Sequence, residues 1–423
     1  MKKLLVLMSV FLIGCSSHQL KHPQVNEENY QIVSIDKREQ HYDLYNEPYR
    51  FWGDMRPVHL NDENLALFRQ SNKAGTFKVF GENLNILVLS GGGERGAYGI
   101  GILNGLYDTG ELPEFSIITG VSAGALIAPF AYIGDKESLL RVKTVILSLN
   151  DKEDFNKRSI FWPIRNNAMT VGDKFFSRIE SIYDKVLIEK LAVEYNKGRR
   201  LLIGTTHFES GRQMVWNLGR IAASDLPNKE HLIHQVLAAS ASIPGVFPPQ
   251  LITVYDKQGN PFQEMHFDGG LAAQLFFNPF GLNQEKISKM FGLDTTPNMY
   301  IVRNGYLQAE FKQVKPDILP IAARSLDSLI YAQTKGDLYH ELYISACNHI
   351  YSHLTYIGND FTVEADQNMF FDPVYMEKLY DYGYQRVLDN NVWTRQFDGT
   401  KAGSCESLHQ PTEFIDRVNT QAN

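Results

Sequence analysis

The chain has 423 residues, of which 43% are hydrophobic and 12% aromatic, enough apolar surface for a sizeable core and too much for a disordered polypeptide. A formal net charge of −7 argues against nucleic acid as a partner. The 12 histidines and 3 cysteines lack the short paired spacings of zinc sites, so neither a metal nor another cofactor is expected.

At the N-terminus, Met1-Lys2-Lys3 is a short basic start, residues 4–13 form an apolar run too short to span a bilayer, and Gly14 precedes Cys15. The pattern resembles a bacterial lipoprotein signal. That resemblance implies removal of residues 1–14, lipidation of Cys15 and an exported chain held to a membrane of the cell envelope. Ser16, in place of an aspartate, implies the outer membrane if the source is Gram-negative. The competing reading is an ordinary secretion signal with an incidental cysteine. Acyl chains, and not a basic patch, then set membrane affinity. Residues 15–81 read as a tether followed by an N-terminal extension that packs on the main domain, polar and turn-rich with aromatic islands such as Tyr49-Arg50-Phe51-Trp52.

From residue 82 to 305 strand and helix patterns alternate, which predicts an α/β fold: a three-layer α/β/α sandwich around a central, mostly parallel sheet. Strands are expected at 84–89, 115–119, 200–206, 213–217 and 299–303, and helices at 94–107, 122–133 and 231–240. After the first strand comes Gly91-Gly92-Gly93-Glu94-Arg95-Gly96. Consecutive glycines at a helix N-terminus leave backbone N–H groups unshielded where the helix dipole attracts negative charge, so the loop can hold an oxyanion. It can equally hold a pyrophosphate, because Gly91, Gly93 and Gly96 satisfy G-x-G-x-x-G; that rival needs an acidic residue closing the next strand, and the next strand ends in Thr119. Arg95 has two readings, an exposed arginine or a contact for the loop or an anionic substrate, and a cation at a helix N-terminus is electrostatically unfavourable without a reason.

Ser122 lies in Gly120-Val121-Ser122-Ala123-Gly124, between an apolar run and a small-residue helix. Strand, sharp turn and helix is the arrangement of a nucleophilic serine, with the glycines at 120 and 124 making room for the strained turn. The serine needs a base. Asp268 is the leading candidate, in His266-Phe267-Asp268-Gly269-Gly270, where Gly269 and Gly270 let the backbone bring a carboxylate close to another loop. His266 competes: in a strand it points to the same side as Asp268 and could support or complete the site.

Taken in order, the blocks at 91–96, 120–124 and 268–270 resemble the patatin-like phospholipases, and Ala239-Ser240-Ala241-Ser242-Ile243-Pro244-Gly245-Val246-Phe247-Pro248-Pro249 is similar to the segment that family places between its serine and aspartate. The resemblance covers residues 82–305, extends to a helix at 371–388 and leaves out residues 16–80. It implies Ser122 as nucleophile, Asp268 as base and the glycine loop from Gly91 to Gly96 as oxyanion hole. The substrate class is then a phospholipid or other lipid ester. Some members require a protein activator, and that partner stays open. Residues 306–423 read as a C-terminal helical region packed on the catalytic domain, with amphipathic helices at 317–350 and 373–389. Cys347 and Cys405 either pair in an oxidising compartment or stay free and buried.

Overall fold

Short apolar runs bounded by turn residues become strands here, and those that are apolar on both faces become the centre of a sheet. The computed structural model describes residues 20–38, 47–55, 83–149, 172–277, 295–309, 311, 313–348, 350–366, 369–393 and 395–398. The expected signal at 1–14, Cys15 and Cys405 lie outside them; Cys347 is disulfide-bonded. In chain order the elements are β1 (Arg50–Trp52), β2 (Asn85–Leu89), α1 (Gly96–Asp108), β3 (Ile117–Val121), α2 (Ala123–Ile133), α3 (Lys136–Leu147), α4 (Gly172–Ile182) and α5 (Lys185–Asn196). Then follow β4 (Arg200–His207), β5 (Arg212–Asn217), α6 (Leu218–Ala223), α7 (Lys229–Ser240), β6 (Gln250–Tyr255) and β7 (Pro261–Asp268). The chain closes with β8 (Asn298–Arg303), α8 (Ile318–Cys347), β9 (Tyr351–Tyr356), α9 (Pro373–Leu388) and β10 (Arg395–Asp398).

All strands among the described residues join one 10-stranded sheet, whose main path runs β1-β5-β4-β3-β2-β8-β9-β10. The central strands β4, β3, β2, β8 and β9 are parallel, and antiparallel strands flank them. Alternate residues of β2 separate the two faces. Ile86 and Val88 pack with Met299, Ile301, Leu338 and Leu342, under α8. Leu87 and Leu89 join the larger cluster that contains residues of α1, α2, α5, α7 and α9. The result is a mixed, mostly parallel sheet between helical layers, the expected fold class.

The edges differ from expectation. The strand expected at 115–119 runs on to Val121, because Gly120 and Val121 pair with Ile203 and Gly204 of β4. The sheet also continues past residue 305, so the C-terminal region is not purely helical: β9 pairs along the whole of β8, and β10 pairs with β9. Tyr351-Ser352-His353-Leu354-Thr355-Tyr356 is too polar to announce a buried strand, yet Ser352 and Thr355 are fully buried within it.

The N-terminal extension is stitched to the β6–β7 hairpin by bridges from Gln24 to Gln263 and from Ser34 to Tyr255, and β1 adds an edge strand to β5. Two buried ion pairs fasten it. Glu47 accepts from Arg200 at 2.6 and 2.8 Å, from Asn217 Nδ2 at 2.9 Å and from the Tyr195 hydroxyl at 3.2 Å. Arg50 pairs with Glu264 through both guanidinium ends and lies over the Trp216 ring. Removing one partner of a buried pair leaves an uncompensated charge. Glu47→Ala is therefore expected to lower unfolding free energy by about 3–5 kcal/mol in urea titration, whereas Arg38→Ala, whose pairs with Asp36 and Asp225 face solvent, should leave the midpoint unchanged.

Candidate active site

One edge of β4 carries two strands end to end. Its first half pairs with parallel β3, ending in Val121 opposite Gly204, and its second half pairs with antiparallel β7, starting with Asp268 opposite Thr205. The residue after Val121 is Ser122, so the junction of β3 and β7 brings Ser122 and Asp268 together across 146 residues of sequence. Ser122 Oγ donates to Asp268 Oδ2 at 2.7 Å.

Ser122 caps α2 with φ +54° and ψ −123°, a conformation that costs a non-glycine residue strain of order 1–3 kcal/mol. The surroundings hold it there. Ser240, the last residue of α7, accepts the Ser122 N–H at 3.0 Å and donates its hydroxyl to the Gly204 carbonyl at 2.7 Å. A side chain at Gly124 would overlap the carbonyls of Leu89 and Ser90, which is why the turn tolerates only glycine there. The same stretch of chain holds the carboxylate: Asp268 N–H donates to the Ser242 carbonyl at 3.0 Å, and its own carbonyl accepts from the Thr206 hydroxyl at 2.8 Å.

Asp268 Oδ1 accepts the Gly270 N–H at 2.8 Å, leaving Oδ2 for the serine. With 6% of Asp268 exposed and no ion pair among the described residues, burial pushes its carboxyl up to about 6, against the hydrogen bonds from Ser122 and Gly270 that favour the charged form. His266 is buried elsewhere. Its ring nitrogens face Glu264 Oε2 at 3.1 Å and Thr205 Oγ1 at 3.0 Å, so both are spent away from the serine, and burial holds its pKa below the usual histidine value. His266, the competing base of the sequence reading, instead takes a place in the buried Arg50–Glu264–His266 chain.

The glycine loop lies over the serine: a carbon attached to Gly91 would stand 3.2 Å from Ser122 Cβ. Its N–H groups are unequal. Gly91 N–H donates to the Gln274 carbonyl at 3.0 Å, Arg95 N–H to the Gly92 carbonyl at 3.2 Å, and Gly96 N–H to the carbonyls of Glu94 and Gly93. Gly92 and Gly93 make no such bond among the described residues, so of the four glycines in the loop these two keep a donor for an oxyanion, with open space beside Gly93 at φ +59°. The side chains of the loop tie it outward. Glu94 Oε2 accepts the Asp372 N–H at 3.0 Å, and the Arg95 guanidinium lies 5.4 Å from the Tyr306 ring centre. Gln274 links the parts: besides receiving Gly91, it donates Nε2 to the Gly270 carbonyl at 2.9 Å and its N–H to Asp337 at 2.7 Å.

Ser240, Gln274, Arg303 and Asn304 were not singled out from sequence. Ser240 lies in the segment at 239–249, and Arg303-Asn304 puts polar groups at the carboxyl end of an apolar parallel strand, where ligands of open α/β sheets bind; Gln274 left no signal. No group of histidine, cysteine or carboxylate side chains among the described residues could hold a metal ion.

Against known families, residues 87–280 match the patatin-like phospholipase model. Among curated proteins the chain is similar to triacylglycerol lipase 4 of Saccharomyces cerevisiae, 26% identical over 221 residues that cover 49% of this chain and 23% of that protein. Triacylglycerol lipase 5 of the same organism is 25% identical over 223 residues, covering 49% of this chain and 28% of its own length. A patatin-like phospholipase domain-containing protein of Phaeosphaeria nodorum is 42% identical over 81 residues, 19% of this chain and 10% of the relative. The matched region thus spans no more than about 28% of these relatives. Among solved structures, VipD from Legionella pneumophila aligns over 80% of this chain and 75% of its own, at 13% identity and a TM-score of 0.36.

Two stability effects follow from this geometry. Ser240→Ala removes the acceptor of the buried Ser122 N–H and the donor to Gly204, and should cost about 1–3 kcal/mol in urea titration. Asp268 has a folded pKa of about 6 against 3.8 for a free aspartate side chain, so its contribution to stability is present below the lower value and is lost as pH rises through the upper. Asp268→Asn should therefore raise the melting temperature by roughly 3–6 °C at pH 8 and leave it nearly unchanged at pH 3 in scanning calorimetry.

Proposed function

We propose that this chain, which carries a patatin-like phospholipase domain at residues 87–280, is a lipid acyl hydrolase that cleaves fatty-acyl esters of glycerophospholipids. The observation that carries the reading is the 2.7 Å hydrogen bond from a serine strained at φ +54° to a buried carboxylate. In the reaction, Asp268 Oδ2 takes the Ser122 proton as Oγ bonds to the ester carbon, and the carbonyl electron pair moves to its oxygen. Gly92 and Gly93 N–H groups receive that oxyanion, each such donor being worth about 3–4 kcal/mol at the transition state. Collapse of the intermediate expels the lyso-lipid alkoxide, which takes the proton from Asp268. Water then attacks the acyl-serine, giving a proton to Asp268, and the second collapse releases the fatty acid while the proton returns to Ser122. A carboxyl near pH 6 suits this work, because it is ionised at neutral pH yet basic enough to accept a hydroxyl proton transiently.

A second reading is favoured by the names of two relatives: triacylglycerols, with the same serine and aspartate. A third, a lipid-binding envelope lipoprotein without turnover, has the intact Ser122–Asp268 pair against it. We place the protein in the cell envelope, held through lipidated Cys15, and in the outer membrane if the source is Gram-negative; Cys15→Ser should then move it from the membrane fraction to the soluble one.

The decisive experiment is fatty-acid release from mixed phospholipid vesicles and from triacylglycerol emulsions. Ser122→Ala and Asp268→Ala are each expected to lower release by about 10³-fold or more. For wild type, kcat/KM should rise with pH through about 6 and then level, following ionisation of Asp268. Release from emulsions alone selects the triacylglycerol reading. No release from any lipid, with cell extract added as a source of activator, would sink the hydrolase.

A further inference from the structure

Arg303 closes β8 with 6% of its surface exposed, and it makes no ion pair among the described residues. A buried guanidinium without a carboxylate is costly unless it serves something other than the fold. Its hydrogen-bond partners are neutral. Nη1 donates to the Gly91 carbonyl at 2.9 Å and to Ser90 Oγ at 3.2 Å, while Nε is buried with no partner. Burial and the nearby charge of Arg95 lower its pKa to about 10, against the pull of Asp337, so it stays charged at neutral pH.

The contacts converge on one peptide group. Ser90 Oγ also donates to the Gly91 carbonyl, at 2.8 Å, so that oxygen receives two donors. Asn304 grips the preceding peptide: its Nδ2 donates to the Ser90 carbonyl at 2.9 Å and its N–H to Ser90 Oγ at 2.9 Å. A side chain on Gly92 would overlap the Asn304 carbonyl, so only glycine brings the two segments this close. The Gly91 carbonyl belongs to the same trans peptide as the Gly92 N–H, and the two point in opposite directions. A cation on the oxygen therefore fixes the peptide plane and strengthens the N–H as a donor.

We propose that Arg303 is a positioning residue of the oxyanion site, acting through the Gly91–Gly92 peptide to aim and polarise the Gly92 N–H toward the oxygen of the tetrahedral intermediate. The proposal rests on the acyl-hydrolase reading above. It separates Arg303 from a substrate-holding arginine, since the effect belongs to the transition state and not to the ground state.

The test uses the full chain with a soluble p-nitrophenyl ester, a fluorophosphonate that labels Ser122, and a trifluoromethyl ketone whose adduct with the serine carries an oxyanion. R303Q and R303M are expected to lower kcat about 10–100-fold with KM within about twofold, and R303K to recover part of the loss. Trifluoromethyl ketone affinity should fall by the same factor as kcat/KM, while inhibition by the fatty-acid product stays unchanged. Melting temperatures close to wild type in R303K and R303Q exclude a merely structural effect. A kcat within twofold of wild type in R303Q, or a loss confined to KM, overturns the proposal. A kcat loss matched by a lowered melting temperature, with no selective loss of ketone affinity, overturns it as well. These outcomes leave the hydrolase reading standing; wild type that neither turns over ester nor labels at Ser122 overturns both.

Discussion

The junction on β4 is the constraint from which the site follows. A strand has two hydrogen-bonding edges, and β5 occupies one of them along residues 202–207. The other edge must serve β3 and β7 in succession, and their ends meet between Gly204 and Thr205. Ser122 and Asp268 are neighbours because backbone ladders on both sides leave them nowhere else to go. The end of α7 then locks the junction from above, with Ser240 on the serine N–H and Ser242 on the aspartate N–H. Precision of this kind comes from backbone hydrogen bonds on rigid elements, which hold a reacting pair more closely than loops can.

Charge is distributed to match. Most described buried charges near the N-terminal extension are paired, Glu47 with Arg200, Arg50 with Glu264 and Arg199 with Glu194. Among the described residues around the junction, Asp268 and Arg303 are buried charges without an ion pair. In the proposed attack the negative charge leaves Asp268 and reappears on the substrate oxygen, nearer the peptide that Arg303 contacts. The net charge of the buried volume is conserved through the step, so no new ion has to be desolvated.

Much of this was legible in the sequence, and the limits have physical causes. The turn at Ser122 and the glycine loop declare themselves because strand, glycine and helix signals fall within a few residues. Asp268 was readable from its two following glycines. Ser240 was only part of a recognisable stretch: what it does depends on a serine 118 residues earlier. The same holds for Arg303, whose partners Ser90 and Gly91 lie more than 200 residues away. Which N–H groups of the loop stay unspent was beyond sequence, because Gly91 loses its donor to a backbone carbonyl that any residue at 274 would offer. The strand β9 was hidden because two of its three buried positions are Ser352 and Thr355, residues that read as surface until α8 covers the sheet, which leaves Leu354 as its one buried apolar side chain.

The ion pairs of the N-terminal extension have a consequence for when the molecule can exist at all. Arg50 finds Glu264 across 214 residues, Glu47 finds Arg200 across 153, and β1 can add to the sheet only after β5 is in place. Contacts so distant in sequence carry the loop-closure entropy of a high contact order, which slows folding. A growing chain that has emerged as far as β3 holds a serine turn with neither the carboxylate nor the helix end that restrains it. The first segment therefore gains its partners in stages: β4 and β5 must be made before Glu47 and β1 can dock, and Arg50 stays uncompensated until β7 brings Glu264.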